Sequence, residues 1–192
     1  MNKDDIIGVL KEADALLSGH FELRSGLHSN QFFQCAKIFQ RPDVAERLCA
    51  ALVEKMRAEL GDDIKAESVI APALGGIVVG HEVARAMGVR SIFAEKDGDD
   101  LVLRRGFKIG DGEKFVVAED VVTRGGRVQQ TIDLIREHGG EVVAACVLVN
   151  RSGGTASFGV PLVSLLEMEP VTYEPEHCPM CKDGSVAEHP GS

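Results

Sequence analysis

Two adjacent carboxylates, Glu119 and Asp120, end an apolar run of the sequence, and a turn that contains two glycines follows them. The segment VVAEDVVTRGGRV then passes into a helical pattern, so its order is strand, acidic pair, turn and helix. The N–H groups at the start of a helix attract phosphate, and carboxylates accept hydrogen bonds from sugar hydroxyls. This spacing therefore predicts a site for a ribose 5-phosphate, with the hydroxyls on one side and the phosphate on the other.

A second glycine turn lies earlier in the chain, within APALGGIVVGHEVAR. A short apolar strand ends at Pro72, and Gly75 and Gly76 open the next helix, which repeats the arrangement that favours anion binding. Two such turns, one of which carries an acidic pair, favour a ligand with phosphate groups at both ends.

Four apolar segments predict the strands that position these turns: SVIAP, RSIFAE, KFVVAED and EVVAACVLV. The helical patterns GIVVGHEVARAM and RVQQTIDLIREHGG alternate with them. Continuous apolar strands that alternate with helices indicate a parallel sheet covered on both faces. We therefore expect an α/β fold with a Rossmann-like parallel sheet flanked by helices, and ligands at the carboxyl ends of the strands.

The part of the chain before the first of these strands contains two predicted helices. The first has an apolar face made of Ile6, Ile7, Leu10, Ala13, Leu16 and Leu17. The second runs from about Pro42 to Leu60, because proline favours the first turn of a helix and Gly61 follows. Between them, HFELRSGLHSNQFFQ shows no periodic pattern and is predicted to be irregular.

Composition narrows the class of protein. The chain has 192 residues, a hydrophobic fraction of 44% and a net charge of −9, which is typical of one soluble globular domain. This negative charge argues against non-specific nucleic-acid binding and against an anionic membrane surface. No signal peptide or membrane-spanning run is evident, so we expect a cytoplasmic protein. Three of the five cysteines (Cys35, Cys49 and Cys146) lie among apolar residues and fit reduced packing positions.

The acidic pair and its turn resemble the phosphoribosyl pyrophosphate (PRPP) signature of the type I phosphoribosyltransferases. Arg124 stands where that signature usually has Thr or Ser, and it adds a cation near the phosphate. The 73–76 loop is similar to the family's diphosphate-binding loop. The resemblance implies PRPP contacts at Arg24, Ala73, Leu74, Gly75, Gly76, Glu119, Asp120, Val121, Val122, Thr123, Arg124, Gly125, Gly126 and Arg127.

Segment 20–34 resembles the N-terminal hood of orotate phosphoribosyltransferases, which closes over orotate. In that case Arg24 contacts the diphosphate, while Ser25, Phe32 and Phe33 contact orotate, although we expect at least one of the two rings to pack in the core. The same resemblance gives Arg151, at the end of a strand, a contact with the orotate ring and carboxylate; an arginine that only caps the strand is the alternative. Thr123 is also expected at orotate.

Segment 93–115 resembles the family's mobile loop, which covers the active site and commonly that of the partner subunit. The family loop carries basic residues, whereas here the tip from Asp97 to Asp100 is acidic and Lys96 is the only lysine between Phe93 and Leu101. Lys96 is therefore the candidate catalytic cation, together with the acidic pair Glu119 and Asp120. The segment LVLRRGF is predicted to be a strand that carries Arg104 and Arg105.

The resemblance implies orotate phosphoribosyltransferase activity in a homodimer. It also implies Mg²⁺ as cofactor, held mainly through PRPP and water, because diphosphate oxygens are hard ligands. We expect a single domain over residues 1–192: a small hood of about residues 1–40 with C-terminal parts, a core of about 41–170, and an irregular tail over 174–192. A phosphoribosyltransferase for another base and a non-catalytic PRPP-binding regulator stay open as alternatives.

The tail contains a C-x-x-C pair, Cys178 and Cys181, without a second such pair. His177 and His189 are candidates to complete a zinc set, which would favour a zinc-dependent interaction module. A reduced or loosely paired thiol pair is the other interpretation. His28, His81 and His138 have no partner spacing and are expected to be surface or packing residues.

Overall fold

The computed structural model describes residues 1–23, 25–61, 64–169 and 171–190. The N-terminal part contains helix α1 (Lys3–Glu12), strands β1 (Leu16–Glu22) and β2 (His28–Phe33), and the short helix α2 (Ala36–Phe39). The central part contains α3 (Pro42–Leu60), β3 (Ser68–Pro72), α4 (Gly76–Met87), β4 (Arg90–Asp97), β5 (Asp100–Val102), β6 (Lys114–Val122), α5 (Gly126–Glu137), β7 (Glu141–Asn150) and β8 (Leu162–Glu167). The C-terminal part contains β9 (Thr172–Tyr173), a 3-10 turn (Pro175–His177) and the short helix α6 (Pro179–Lys182).

The main sheet has six strands in the order β5-β4-β3-β6-β7-β8. All neighbours are parallel except β5, which pairs with β4 as an antiparallel edge strand. The carboxyl ends of β3, β6 and β7 therefore meet at one edge of the sheet. This confirms the predicted α/β fold with a Rossmann-like parallel sheet, and it brings the two glycine turns to the same edge.

Alternate residues of the central strands enter two hydrophobic clusters, one on each face of the sheet. Val69 and Val116 pack with α3 and α4, whereas their neighbours Ile70 and Val117 pack with α5. Because successive side chains of a strand point to opposite faces, a strand covered by helices on both sides must be apolar throughout. Among the described residues, no helix combines the length and the apolar composition that a membrane crossing requires.

A second, three-stranded antiparallel sheet has the order β1-β2-β9 and forms the hood. The sequence predicted an irregular segment here and assigned Leu16 and Leu17 to the first helix, and both predictions were wrong. The helix ends at Glu12, Asp14 takes a left-handed conformation with φ 54°, and Leu16 then pairs with Phe33 of β2. A bulge between Ser18 and Phe21 interrupts the register, which hides the alternation that would indicate a strand.

Two other segments differ from expectation. The strand predicted over LVLRRGF ends at Val102, because Arg105 turns the chain with a positive φ of 57° and Gly106 follows at 75°. The tail, predicted to be irregular, pairs with the hood through a bridge between Glu188 and Phe21 and folds into the 3-10 turn and α6. Backbone bonds from the Glu22 N–H to the Glu188 carbonyl (2.9 Å) and from the Glu188 N–H to the His20 carbonyl (2.8 Å) fasten the tail to β1.

Candidate active site

The carboxyl edge of the main sheet contains a cavity of about 480 Å³. Its lining comes from the loop after β3 and from the end of β6 with the first turn of α5. The lining residues are Pro72, Ala73, Gly75, Glu119, Asp120, Val121, Val122, Thr123, Arg124, Gly125, Gly126, Arg127, Val128 and Gln130. Most residues predicted to bind PRPP thus line one cavity. Arg24 lies outside the described residues.

The acidic pair is shielded from solvent at the end of β6. Glu119 is 8% exposed, and its Oε1 accepts a 3.2 Å hydrogen bond from the Asp120 N–H. Asp120 Oδ1 accepts a 2.8 Å bond from the Val121 N–H. Burial, followed by the adjacent Asp120 charge, raises the pKa of Glu119 to about 9. Burial also raises the pKa of Asp120, so ionisation of both carboxyl groups at this site is costly without a nearby cation.

The 73–76 loop packs directly against these carboxylates. A β-carbon at Gly75 would lie 3.3 Å from Asp120 Oδ2, and one at Gly76 would lie 3.1 Å from Glu119 Oε1. The peptide bond between Ala73 and Leu74 is cis, and the Leu74 side chain is 84% exposed. Because neither glycine carries a side chain, the loop backbone and the acidic pair face the same space.

The 123–127 turn presents the start of α5 to the cavity. Gly125 has φ 78° and occupies the N-cap position, where no side chain caps the helix among the described residues. A β-carbon at Gly125 would lie 2.7 Å from the Phe158 ring, so this turn requires glycine both for its conformation and for space. Arg124 and Arg127 are exposed beside it. Uncapped N–H groups, a helix dipole and two cations are together the features that favour anion binding.

Arg151 follows β7 and lies beside Phe33 of the hood. Its guanidinium carbon is 5.5 Å from the centre of the Phe33 ring, and its backbone N–H donates to the Val122 carbonyl at 2.7 Å. Burial lowers the pKa of Arg151, and its Nε is buried without a hydrogen-bond partner among the described residues. Since an unpaired guanidinium N–H in a buried position is costly, this group is suited to an anionic ligand.

The other predicted hood contacts are less closely gathered. Phe33 is 7% exposed and belongs to the main core, which fits the expectation that one of the two rings packs there. Phe32 is half-buried and stacks at 5.8 Å on Phe21. Ser25 is exposed in the turn between β1 and β2, where its Oγ accepts a 3.4 Å bond from the Leu27 N–H.

Lys96 does not line the cavity; it lies exposed on the β4–β5 hairpin, opposite Leu101. The arginines after this hairpin are engaged by its own carboxylates. Arg104 pairs with Asp97 at 3.2 Å, and Arg105 pairs with Glu95 at 2.8 Å. The acidic tip therefore neutralises part of the basic charge that follows it.

Gln130 lines the cavity and was not predicted from the sequence. Its Oε1 accepts a 2.8 Å bond from Arg127, and its Nε2 donates to the Asp99 carbonyl at 3.0 Å. It thus connects the anion-binding turn to the tip of the β4–β5 hairpin. The spacing from Arg127 to Gln130, one turn of α5, is the only sequence signal for this contact.

The tail thiols meet histidines other than those predicted. His177 is exposed, and His189 pairs with Glu22 at 3.0 Å. Cys178 and Cys181 instead adjoin His20 and His28 of the hood, with all four ligand atoms within 4.8 Å of one another. His28 is buried, as expected for a packing residue, and it also contacts His20 and Cys181.

Residues 37–158 match the phosphoribosyl transferase domain family. A protein from Carboxydothermus hydrogenoformans named orotate phosphoribosyltransferase is 48% identical over 98% of this chain and 97% of its own length. One of the same name from Pelotomaculum thermopropionicum is 48% identical over 100% of this chain and 98% of its own. The crystal structure of orotate phosphoribosyltransferase from Aeropyrum pernix superposes with a TM-score of 0.72 at 26% identity, covering 85% of this chain and 93% of that one.

Proposed function

The chain belongs to the orotate phosphoribosyltransferase family, and from this premise we propose the roles of its residues in the transfer of a phosphoribosyl group from PRPP to orotate. The products are orotidine 5-phosphate and diphosphate, in the pathway to pyrimidine nucleotides. The observation that carries the assignment is the acidic pair of buried Glu119 and half-buried Asp120, which lies between the two glycine turns in one cavity.

The 123–127 turn holds the 5-phosphate of PRPP. Its backbone N–H groups and the positive end of α5 point to one place, and Arg124 and Arg127 add charge. Gln130 orients Arg127 through their 2.8 Å hydrogen bond. The sugar is thereby fixed at its phosphate end, and the anomeric carbon is directed toward the acidic pair.

Glu119 and Asp120, with the adjoining backbone of Val121 and Val122, hold the ribose. Their carboxylates accept hydrogen bonds from the 2- and 3-hydroxyls. The same negative charge stabilises the positive charge that develops on the ring as the bond to diphosphate breaks and the bond to the orotate ring nitrogen forms. Catalysis is positioning and charge stabilisation, without a covalent bond to the protein.

Mg²⁺ fits this site, because the carboxylate oxygens of Glu119 and Asp120 are hard acceptors that face the cavity together. PRPP and water would hold the ion, and Glu119 and Asp120 would be the protein groups beside it. When bound, it neutralises charge on the diphosphate leaving group.

The 73–76 loop (Ala73, Leu74, Gly75 and Gly76) receives the diphosphate, with Arg24 as the cation on the hood side. The support is the contact distance of little more than 3 Å that a β-carbon at either glycine would make with the acidic pair. A loop without side chains lets its N–H groups approach the diphosphate beside the ribose hydroxyls.

Orotate lies between the hood and the end of β7. The Arg151 guanidinium, held over Phe33 and with an unpaired Nε, binds the carboxylate of orotate. Phe32, Ser25 and Thr123 complete the pocket for the ring. A carboxylated flat ring suits this combination of cation and aromatic surface better than an uncharged purine does.

The protein acts as a cytoplasmic homodimer in which the β4–β5 hairpin carries Lys96 to the diphosphate of the partner's site. The support is the position of Lys96, exposed on a projecting hairpin and outside the cavity of its own chain. Lys96→Ala should then lower turnover, and mixing it with an inactive Asp120→Asn chain should restore part of it. Failure of mixed dimers to recover activity would remove the role across the interface.

The experiment that tests the function is the loss of orotate absorbance in the presence of PRPP and Mg²⁺, with adenine, hypoxanthine and uracil in parallel. Turnover with orotate alone is expected. Turnover with a purine instead would assign another base, and PRPP binding without turnover on any base would assign a regulator.

A further inference from the structure

Four side chains that the proposed reaction does not use converge at the junction of hood and tail. His20 lies on β1, His28 on β2, and Cys178 and Cys181 flank the start of α6. Cys178 is fully buried, while His20 and His28 are 7% and 8% exposed. None of the four is among the described residues that line the substrate cavity.

The distances among these side chains are those of a metal-ligand set. The two imidazoles approach at 2.9 Å between His20 Nε2 and His28 Nδ1. The sulfur of Cys178 lies 3.5 Å from His20 Nε2, and that of Cys181 lies 3.7 Å from the same atom and 3.3 Å from His28 Nδ1. In a tetrahedral zinc site, bond lengths of about 2.0–2.3 Å put nitrogen and sulfur ligands about 3.6 Å apart and two nitrogens about 3.3 Å apart.

We propose that His20, His28, Cys178 and Cys181 bind one structural Zn²⁺ ion that joins the C-terminal tail to the N-terminal hood. The three nitrogen–sulfur distances given above need almost no change, and the imidazoles need to separate by only a few tenths of an ångström. Two thiolates and two neutral imidazoles neutralise the ion, and the two thiol protons pass to solvent. With four protein ligands no coordination position stays open, so the site is structural rather than catalytic.

The surroundings of the cluster agree with this assignment. The second ring nitrogen of His20, Nδ1, lies 3.2 Å from Ser185 Oγ, which leaves Nε2 directed at the thiols. Such an outer hydrogen bond commonly selects the tautomer of a metal-binding histidine. Both thiols are free rather than joined in a disulfide. Backbone bonds of Glu188 with His20 and Glu22 hold the tail beside the cluster.

The ion would stabilise a contact between distant parts of the sequence. Cys178 is 158 residues from His20, so the ion closes nearly the whole chain into a loop. Strand β2, which carries His28, also contains Phe32 and Phe33. Zinc would thus hold the part of the protein proposed to close over orotate, and its binding free energy would add to the stability of the fold.

Metal analysis of the whole chain tests the proposal. The protein is produced in zinc-supplemented medium and purified under reducing conditions. We expect one zinc ion per chain. After the zinc is removed with a chelator, added Co²⁺ should give the visible bands of a tetrahedral site and thiolate-to-cobalt charge transfer. These measurements on the unaltered chain keep the test valid even where a variant fails to fold.

Variants then identify the ligands. Cys178→Ser with Cys181→Ser, and His28→Ala, should lose the zinc and the cobalt spectrum, while His177→Gln, next to Cys178 but exposed, should retain both. The site would be overturned if the unaltered protein held no more zinc than the double cysteine variant. A cobalt spectrum of the unaltered protein without thiolate bands would also overturn it. A Cys178–Cys181 disulfide in the purified protein that persists under reducing conditions would overturn it as well.

Discussion

A β-carbon at Gly76 would lie 3.1 Å from Oε1 of Glu119, so the start of α4 and the end of β6 pack without room for a side chain. The same β-carbon would be 3.2 Å from the side chains of Ala71 and Pro72. The 73–76 loop and the acidic pair are therefore one packed unit, although 43 positions separate Gly76 from Glu119 in the sequence. Substitutions in the loop should therefore displace the carboxylates of Glu119 and Asp120.

Gly76→Ala should lower kcat/KM for PRPP by about tenfold or more, because its methyl displaces the Glu119 carboxylate or the loop. Steady-state kinetics with PRPP varied at saturating orotate measure the change. Gly8→Ala is the matched control, since a β-carbon at Gly8 in α1 meets nothing within 4 Å and alanine favours a helix. Equal kinetics for both variants would contradict the packing of loop against carboxylate.

Gly125→Ala should raise KM for PRPP by about tenfold or more, because the methyl would lie 2.7 Å from Phe158 and force the 123–127 turn, proposed to bind the 5-phosphate, to move. Gly88→Ala serves as control: Gly88 has φ 74°, close to the 78° of Gly125, but its β-carbon meets nothing within 4 Å. Both variants should lose about 1–2 kcal/mol of stability from the left-handed backbone. Only Gly125→Ala should weaken PRPP binding, as measured by titration calorimetry.

Asp120→Asn should reduce kcat by about 100-fold, the usual cost of removing one group that stabilises charge in the transition state. Asp97→Asn changes a carboxylate that is exposed and paired with Arg104, and it should stay near the activity of the unaltered protein. Initial rates at saturating substrates compare the two. Similar losses in both would remove the acidic pair from the mechanism.

Arg151→Gln should raise KM for orotate by about tenfold or more, because it removes a charged hydrogen bond worth about 1.5–3 kcal/mol. KM for PRPP should change little. Arg151→Lys should not restore binding, since an ammonium lacks the planar fork that lies over Phe33. Arg41→Gln, which removes an exposed ion pair with Asp43, is the control for loss of charge. An equal rise in both KM values would contradict a role specific to orotate.

Glu119→Gln should abolish activity and yet raise stability at alkaline pH. The folded pKa of Glu119 is raised from 4.5 to about 9, so between these values the folded protein keeps a proton that the unfolded chain loses. The free energy of unfolding must therefore fall as pH rises through this window. Glutamine removes the titration, and we expect Tm at pH 8 to rise by about 2–4 °C or more.

At pH 5, Glu119→Gln should raise Tm by less than at pH 8. The pH is then close to the unfolded pKa of Glu119, so keeping this group protonated in the folded state costs little free energy. Thermal unfolding by circular dichroism at both pH values measures the difference, with Glu54→Gln on the exposed face of α3 as control. A gain that is equal at pH 5 and pH 8 would show that burial of the ionised carboxyl does not limit stability.

The sequence by itself determined the elements whose pattern is local. The helix predicted from about Pro42 to Leu60 was confirmed, since its proline start, glycine stop and apolar spacing all lie within the segment or next to it. The β3–α4 and β6–α5 units were confirmed for the same reason: an apolar strand, a glycine turn and a helix follow one another directly. The whole 119–127 segment lines one cavity because its residues are consecutive.

Only the tertiary structure decided which distant segments meet. The β1–β2 hairpin depends on cross-strand pairs such as Leu16 with Phe33 and on a bulge, and neither leaves a periodic pattern. Arg151 reaches Phe33, and the tail thiols reach His20 and His28 rather than His177 and His189, because the hood folds back over the end of the sheet. Such contacts depend on the relative placement of whole elements, whereas spacing along a chain specifies only what lies within one turn or one strand.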